Sequence, residues 1–311
     1  MISHSSNSLA SQQGVVLLVL TMLLFTAGAS WLLSTLIRSQ ESQPRETDTA
    51  RALNIAKEQL IAYAVMHGDY FPATAVGPGH MPCPDSAGTG VENAPCAANS
   101  PGRLPLSYTL PSTAVMPLSN YNSGIDQQFW YVVSTAFKRS PAGVANTTSA
   151  GSVTLDGQAG IAALLIAPGG VTGTQARPNN SSANYLEAGN TTGPNYVSSD
   201  AVAPANFNDR VLPISVRELM SPVTARVVEA MRVQILAFQV MNGFYPANAA
   251  DFATALATAP AWLLNNQWNL PAVTTYTVLT PTTATLQFAS CNIVYTLNYA
   301  TNTITKNGAR C

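Results

Sequence analysis

The stretch Gly14-Val15-Val16-Leu17-Leu18-Val19-Leu20 opens an apolar run that continues without a charged residue until Arg38. As a helix, residues 15–37 are long enough to cross the hydrocarbon core of a bilayer, which takes ~20 residues. A short polar segment precedes the run, and a much longer polar chain with all four cysteines follows it. The sequence therefore predicts one membrane span near the N-terminus, with the bulk of the chain on one side.

A cleaved signal peptide is the alternative interpretation of this run. Ala27-Gly28-Ala29 before Ser30 has the small residues of a signal-peptide cleavage site. A secretory signal usually has a basic segment followed by ~7–15 apolar residues. Here no lysine or arginine precedes the run, and the apolar residues continue through Trp31-Leu32-Leu33. We therefore expect a retained span.

Two signals in the sequence disagree about the side on which the bulk of the chain lies. Four basic residues follow the run: Arg38, Arg45, Arg51 and Lys57. The positive-inside rule would keep that side in the cytoplasm. Against this, Cys83 with Cys96 and Cys291 with Cys311 have the spacing of two local disulfides, which need an oxidising compartment. We favour disulfides over four free thiols, and with them an exported C-terminal region.

Composition and motifs argue against several classes of function. Only 9% of the residues are charged and the net charge is −1, so no basic field for nucleic acid is present. The chain lacks Cys-x-x-Cys and Gly-x-Ser-x-Gly motifs and has three histidines. We expect a protein that is not an enzyme and has no cofactor or metal. Calcium in the Cys83–Cys96 loop stays open, although Asp85 and Glu92 supply fewer carboxylates than a calcium loop usually has.

A second apolar pattern follows a polar break. Pro44 would kink a helix, and Thr47 and Asp48 are N-cap residue types. Beyond them, apolar side chains recur at helical spacing: Leu53, Ile55, Ala56, Leu60, Ala64 and Met66. We expect one long N-terminal helix within residues 15–72, with a membrane half and an amphipathic half that packs on a globular head.

Gln12-Gln13-Gly14-Val15-Val16 resembles the processing site of type IV pilins and type II secretion pseudopilins. In that family a prepilin peptidase cuts after the glycine, so the resemblance implies a mature chain that begins at Val15 and assembles through Val16, Leu17, Leu18, Val19 and Leu20. The family usually has a basic residue where this chain has Gln13, and a glutamate where it has Val19. The missing glutamate is characteristic of some minor subunits at or near a filament tip.

Further motifs resemble a subgroup of large pilin-like proteins. They are Ala56-Lys57-Glu58-Gln59-Leu60-Ile61-Ala62-Tyr63-Ala64, Met81-Pro82-Cys83-Pro84-Asp85, the run 161–169, and Phe207-Asn208-Asp209-Arg210-Val211-Leu212. The pair Cys291 and Cys311 is similarly placed to the C-terminal disulfide loop of pilins. The resemblance thus covers motifs scattered from residue 14 to about residue 215, together with this cysteine pair.

The later part of the chain contains a repeat and a strand-rich segment. The sequence from Gln59 to Pro72 returns, with one deletion, from Gln234 to Pro246. We favour duplication of a helix-plus-sheet unit over independent recurrence, with the second helix capped at Ser215. Four β-branched and aromatic segments then predict an antiparallel meander: 275–279, 285–288, 292–299 and 303–305.

These patterns together predict an α+β fold with a long N-terminal helix on an antiparallel-sheet head. We expect a leader at 1–14, a transmembrane and assembly helix at 15–72, a first globular region at 73–213, and a second helix-plus-meander region at 214–311.

The resemblance implies a structural subunit, minor or at the tip, of a type IV pilus-like or type II secretion-like filament. Its implied partners are a prepilin peptidase, other pilin or pseudopilin subunits, and the inner membrane before assembly. Its implied location is a single pass through the inner membrane with an exported head, and later a periplasmic or cell-surface filament. The alternative is a membrane-anchored adhesin or binding protein outside any filament, since Ser-, Thr- and Asn-rich loops suit surface binding.

Overall fold

The computed structural model describes residues 47–67, 76–97, 99–109, 115–117, 128–200, 203–309 and 311. Residues 1–50 and 51–311 form separate units, and of the first only residues 47–50 are described. In chain order the elements are α1 (47–67), β1 (Gly102–Arg103), β2 (Ser107–Thr109), β3 (Val115–Pro117), β4 (Trp130–Val133), β5 (Val153–Leu155), β6 (Gln158–Ala167), β7 (Asn195–Tyr196), β8 (Arg210–Ser215), α2 (Val216–Asn242), α3 (Ala249–Ala255), α4 (Ala261–Asn265), β9 (Thr274–Thr280), β10 (Thr283–Phe288), β11 (Val294–Asn298) and β12 (Thr303–Asn307).

Helix α1 is amphipathic. Leu53, Ala56, Leu60 and Ala64 fall at helical spacing and are buried in the main apolar core. On the other side, Lys57 donates to the Pro213 carbonyl at 3.0 Å and pairs with Glu218 at 2.8 Å. These contacts tie α1 to β8 and to the first turn of α2.

The prediction of a long N-terminal helix with a membrane half is wrong for the part of the chain that the structure describes. There α1 is short, covering residues 47–67, and no helix within the described ranges is both long and apolar enough to cross a bilayer. The physical reason lies in its polar face, because Arg51, Lys57 and Glu58 suit solvent and a neighbouring helix rather than hydrocarbon. The predicted single-pass inner-membrane anchor is therefore not supported; residues 15–37, on which it rested, lie outside the described residues.

The first sheet is built around β6. Its strand order is β1-β4-β6-β5-β7, and β8 also pairs with β6; all pairs are antiparallel except β5 with β7. The continuous apolar run Ile161–Ala167 is typical of a buried strand, and every residue from Ile161 to Ala167 is buried. Successive side chains alternate between faces. Thus Leu165 lies in the main core, whereas Leu164 and Ile166 lie in a second, smaller core on the opposite face.

Helix α2 has the start that the sequence predicts. The Ser215 hydroxyl accepts a hydrogen bond from the backbone N–H of Glu218 at 3.1 Å, which caps the helix. Pro222 lies in the second turn of the helix, which continues through it without a break. It ends at Gly243, whose φ of 78° is left-handed and favours glycine.

The second sheet is the predicted antiparallel meander, with order β12-β11-β10-β9. Its inner face joins the main core through Leu286, Tyr295 and Leu297. Its outer face is polar and carries one threonine per strand in register: Thr277, Thr285, Thr296 and Thr305. This alternation is the usual pattern of an antiparallel sheet with one face in solvent.

The sequence repeat is visible in the helices but not in the sheets. Leu60 and Ile235 occupy matching buried positions, as do Tyr63 and Phe238. The first sheet, however, is six-stranded and branched at β6, whereas the second is a simple meander. The predicted duplication of a whole helix-plus-sheet unit is therefore not matched by the sheets. A single core contains side chains from both predicted globular regions, and the predicted domain boundaries stay a prediction.

Candidate functional site

The residues predicted for processing and assembly cannot be placed on this fold. Gly14, Val15 and the run Val16, Leu17, Leu18, Val19 and Leu20 lie outside the described residues. Cleavage after Gly14 and assembly through this run therefore stay predictions.

Both predicted cysteine pairs lie at disulfide distance. The Cα atoms are 5.5 Å apart in Cys83–Cys96 and 3.8 Å apart in Cys291–Cys311. The first bond closes a loop beside β1, and the second ties the end of the chain to the turn between β10 and β11. Each pairing is the one predicted from spacing in the sequence.

The loop between Cys83 and Cys96 is organised by a buried carboxylate. Asp85 Oδ1 accepts from the backbone N–H groups of Ala87 and Gly88 at 3.1 and 2.8 Å, and its Oδ2 accepts from Gly90 at 2.6 Å. These three charge-assisted hydrogen bonds hold the backbone of the turn from Asp85 to Gly90 in place. Across the described ranges of the chain, no group of three His, Cys, Asp or Glu side chains is placed to hold a metal ion.

An ion pair fixes the same loop to the body of the protein. Arg139 donates from Nε to Glu92 Oε2 at 2.7 Å, and its Nη2 lies 2.5 Å from Glu92 Oε1. Glu92 Oε2 also accepts from the backbone N–H of Cys83 at 3.1 Å. Only 2% of the Glu92 side chain and 16% of the Arg139 side chain are exposed. The carboxylate thus depends on Arg139 for its counter-charge.

A second polar assembly holds the long loop between β6 and β8. Glu187 Oε2 accepts from the backbone N–H groups of Asn208 and Asp209, at 3.2 and 3.1 Å. In return, Asp209 Oδ2 accepts from the Glu187 N–H and from the Asn190 amide, both at 2.9 Å. Thr172 and Gln175 donate to Glu187 Oε1. The two buried carboxyl groups therefore each bind the other's backbone.

Charge on this carboxyl pair is costly. Burial, reinforced by the neighbouring Glu187 and opposed by hydrogen bonds from the Glu187 backbone and from Asn190, raises the pKa of Asp209 to about 8. Asp209 Oδ1 is buried and has no hydrogen-bond partner within the described part of the chain. At neutral pH the Asp209 carboxyl is thus largely protonated and able to donate to Glu187.

Two buried histidines, His67 at the end of α1 and His80 just before Cys83, have ring centroids 6.2 Å apart. Burial, then His80 and Arg139, hold the pKa of His67 well below its ordinary value, against a backbone hydrogen bond at Val76. Burial likewise lowers the pKa of His80, against hydrogen bonds at the Gly143 and Gly77 carbonyls. Both rings are therefore neutral in the folded protein at pH 7.

The lowered pKa values of His67 and His80 predict that the protein loses stability in acid. Since the folded pKa values lie below 6.5, the unfolded chain takes up protons first as the pH falls. The contribution is present above pH ~6.5 and is lost below it. His67→Phe keeps an aromatic ring against Tyr63, and we expect a shallower fall of unfolding free energy from pH 7 to 5 in denaturant titrations. Equal slopes for His67→Phe and the native chain would contradict the expectation.

Two cavities flank the first turn of α2. The first has a volume of about 390 Å³ and is lined by Thr147, Ala159, Gly160, Ser215, Val216, Arg217, Met220, Ser290 and Cys311. The second, of about 460 Å³, shares Ser215 and Arg217 and adds Glu218, Ser221, Pro222 and Ala309. Neither cavity was predicted, because its walls come from segments far apart in the sequence.

Sequence reasoning also missed the role of Glu187 in holding the loop that leads to β8. Asp209 belonged to a quoted motif, but its partner lies 22 residues away and no spacing pattern links the two. Comparison with known proteins adds no relative: no protein-family model, no curated protein and no solved structure matches this chain.

Proposed function

We propose that this chain is a structural subunit of a pilin-like filament, of the kind formed by type IV pilins or type II secretion pseudopilins. In this proposal a prepilin peptidase cuts after Gly14, and the mature chain, which begins at Val15, associates with other subunits through Val16, Leu17, Leu18, Val19 and Leu20. Val19, where the family usually has a glutamate, favours a minor or tip subunit.

The observation that carries the proposal is the way α1 is seated. Its apolar face, with Leu53, Leu60 and Ala64, lies in the main core, so the head is built around this helix. The Cys291–Cys311 bond closes the end of the chain onto the meander, as the resemblance implies. Both features suit a subunit whose head must stay folded while its N-terminal segment engages other subunits.

Processing at Gly14 is the prediction that tests the proposal. We expect the full chain, co-expressed with a prepilin peptidase, to yield a product that begins at Val15 by N-terminal sequencing and intact mass. Gly14→Val should leave the chain uncut, because the residue before the cleaved bond is changed. Gly28→Val is the matched control and should be cut as the native chain is.

Two results would count against this function. A product that begins at Ser30 would show signal-peptide cleavage, and would favour a binding protein outside any filament. A chain that stays intact with an active peptidase, while a known pilin is cut in the same cells, would remove the processing step altogether.

A further inference from the structure

The meander ends on one side at β9, whose outer edge pairs with no other strand in the part of the chain that the structure describes. The strand covers Thr274–Thr280 and contains no charged residue, no glycine and no proline. Its threonine, tyrosine and valine residues are types that favour strands. A long and neutral edge of this kind is a template to which another strand can pair.

The other sheet edges within the described ranges are short or interrupted. The first sheet ends at β1 and β7, which have two residues each. β8 contains Pro213, whose carbonyl accepts a hydrogen bond from Lys57 of α1. β12, on the far side of the meander, carries Lys306, and a lysine on an edge strand opposes the addition of a further strand. β9 has none of these protections.

The hydrogen bonds between β9 and β10 show which backbone groups face outward. Ala289 donates its N–H to the Val273 carbonyl at 2.8 Å, in the register of the two strands, so these residues form a hydrogen-bonded pair. Such pairs alternate along an antiparallel ladder. Thr277 therefore turns its N–H and carbonyl towards β10, whereas Tyr276 and Val278 turn theirs away. These outward groups have no backbone partner among the described residues.

The outward backbone groups are complementary to those of a second copy. If two β9 strands run antiparallel about a two-fold axis at Thr277, Tyr276 of each copy lies opposite Val278 of the other. The two residues of a hydrogen-bonded pair each donate and accept, so every outward N–H of these residues meets an outward carbonyl. The two Thr277 residues then form the intervening pair, in which the side chains are closest.

The side chains at this edge suit the same pairing. Val278 lies opposite the buried Ala284 and is therefore on the inner face of the sheet, yet 36% of it is exposed. Tyr276 lies opposite Leu286 and is on this face too. Across the two-fold axis, the Tyr276 ring of one copy lies beside Val278 of the other. An aromatic and a β-branched side chain form a favourable cross-strand pair.

The distribution of charge also suits a second copy. No charged residue occurs between Asp251 and Lys306, so two copies bring no like charges together along β9, β10 or β11. We propose that the protein forms a two-fold dimer through β9, which joins two four-stranded meanders into one continuous sheet. Because the contact uses the same edge of both copies, it closes and adds no further copies. The dimer goes beyond the proposed function and does not depend on it.

The length of the edge sets the strength of the dimer. Regular pairing of β9 ends at Val278, because Leu279 is an extra residue between the partners of Ala284 and Thr283. Strand pairing over so short a ladder buries less than the ~1,200–2,000 Å² of a standard stable interface. We therefore expect a weak dimer that depends on protein concentration, and a covalent cross-link is the suitable way to detect it.

A single cysteine at the two-fold axis tests the dimer. The four native cysteines are paired in disulfides, so Thr277→Cys supplies a free thiol. In the intervening pair of an antiparallel ladder the Cα atoms lie ~4.5 Å apart, within disulfide range. We expect the full chain with Thr277→Cys, mildly oxidised in dilute detergent, to give a disulfide-linked dimer on a non-reducing gel. Thr305→Cys, in the same row of threonines but on β12, is the matched control and should stay monomeric.

A charge on the edge provides a second test. Val278→Lys, added to Thr277→Cys, introduces a lysine beside the partner strand and should lower the yield of linked dimer about tenfold. Thr303→Lys, added to Thr277→Cys, puts the same charge on β12 and should leave the yield unchanged. Urea titrations of these variants confirm that each has kept the fold.

The results distinguish this dimer from other associations. A linked dimer from Thr277→Cys that Val278→Lys suppresses supports the proposal. No link from Thr277→Cys overturns it, as does equal suppression by Val278→Lys and Thr303→Lys. Equal links from Thr277→Cys and Thr305→Cys also overturn it, since they are expected if copies associate only through the N-terminal segment. Failure of the β9 dimer is therefore distinguishable from failure of filament assembly, which is tested by cleavage after Gly14.

Discussion

Replacing Arg139 by glutamine is expected to lower the free energy of unfolding by about 3–5 kcal/mol, because it leaves a buried carboxylate without its counter-charge. Glu92 is the more deeply buried partner, with 2% of its side chain exposed, and it accepts two contacts from Arg139. The remaining donor to Glu92 would be the backbone N–H of Cys83. One neutral N–H does not replace a guanidinium.

The reverse change should cost less. Glu92→Gln removes the buried charge itself and leaves an arginine whose side chain is 16% exposed, so water can solvate it in part. We therefore expect Arg139→Gln to be the more damaging of the two, and the double variant to be no worse than Arg139→Gln alone. Arg51→Gln, at an exposed arginine, is the control.

Urea titrations of the native chain, the two single variants, the double variant and the Arg51→Gln control measure these differences in the free energy of unfolding. Equal losses for Arg139→Gln and Glu92→Gln, or a loss for Arg139→Gln no larger than for Arg51→Gln, would show that the pair does not hold the loop. A thiol-labelling measurement without denaturant adds a local readout, since a loosened loop exposes the Cys83–Cys96 bond to reductant first.

The elements that the sequence predicts correctly are those set by local pattern. The meander follows from alternating β-branched and aromatic residues, and the start of α2 from Ser215 three residues before Glu218. The run Ile161–Ala167 is apolar on both faces and lies in a strand that is covered on both faces. In each case a few neighbouring residues are enough to specify the structure.

The features that the sequence does not predict depend on contacts between distant segments. β6 pairs with β4, β5 and β8. The apolar sequence of β6 does not indicate which of these strands lies on which side of it. The cavity beside α2 joins Thr147 to Arg217 by the same kind of long-range packing. The prediction of a long N-terminal helix joins two apolar patterns across Pro44; α1 covers the second, and the first lies outside the described residues.

As the pH changes, the buried groups His67 and Asp209 shift the free energy of unfolding in opposite directions. The pKa of His67 is lowered by burial, so its contribution is lost as the pH falls below ~6.5. The pKa of Asp209 is raised to about 8, mainly by burial, so its contribution is lost as the pH rises. The native chain alone shows only their sum, and variants are needed to separate them.

Asp209→Asn is expected to remove a large pH dependence from the long loop between β6 and β8. Asparagine keeps an oxygen for the Glu187 N–H and the Asn190 amide, and it carries no charge at any pH. It therefore imitates the protonated state at every pH. We expect the variant to match the native chain near pH 4 and to be more stable than it at pH 8.

The sign and size follow from linkage. With a folded pKa of about 8 and an ordinary value of 3.8, native Asp209 holds a proton between these limits that the unfolded chain has released. The free energy of unfolding therefore falls as the pH rises, by up to about 1.4 kcal/mol per pH unit across this window. The full contribution is present below pH ~4 and is gone above pH ~8.

Urea titrations at pH 4, 6 and 8 measure the difference between the two proteins at each pH, which cancels the histidine contribution common to both. Asp156→Asn, at a carboxylate that instead binds Ser198, is the matched control and should keep the native slope. A difference between Asp209→Asn and the native chain that stays constant from pH 4 to 8 would mean that the loop does not depend on a proton held by Asp209. A difference that grows with pH would show that the native loop is weakened as Asp209 loses its proton, because asparagine stays neutral.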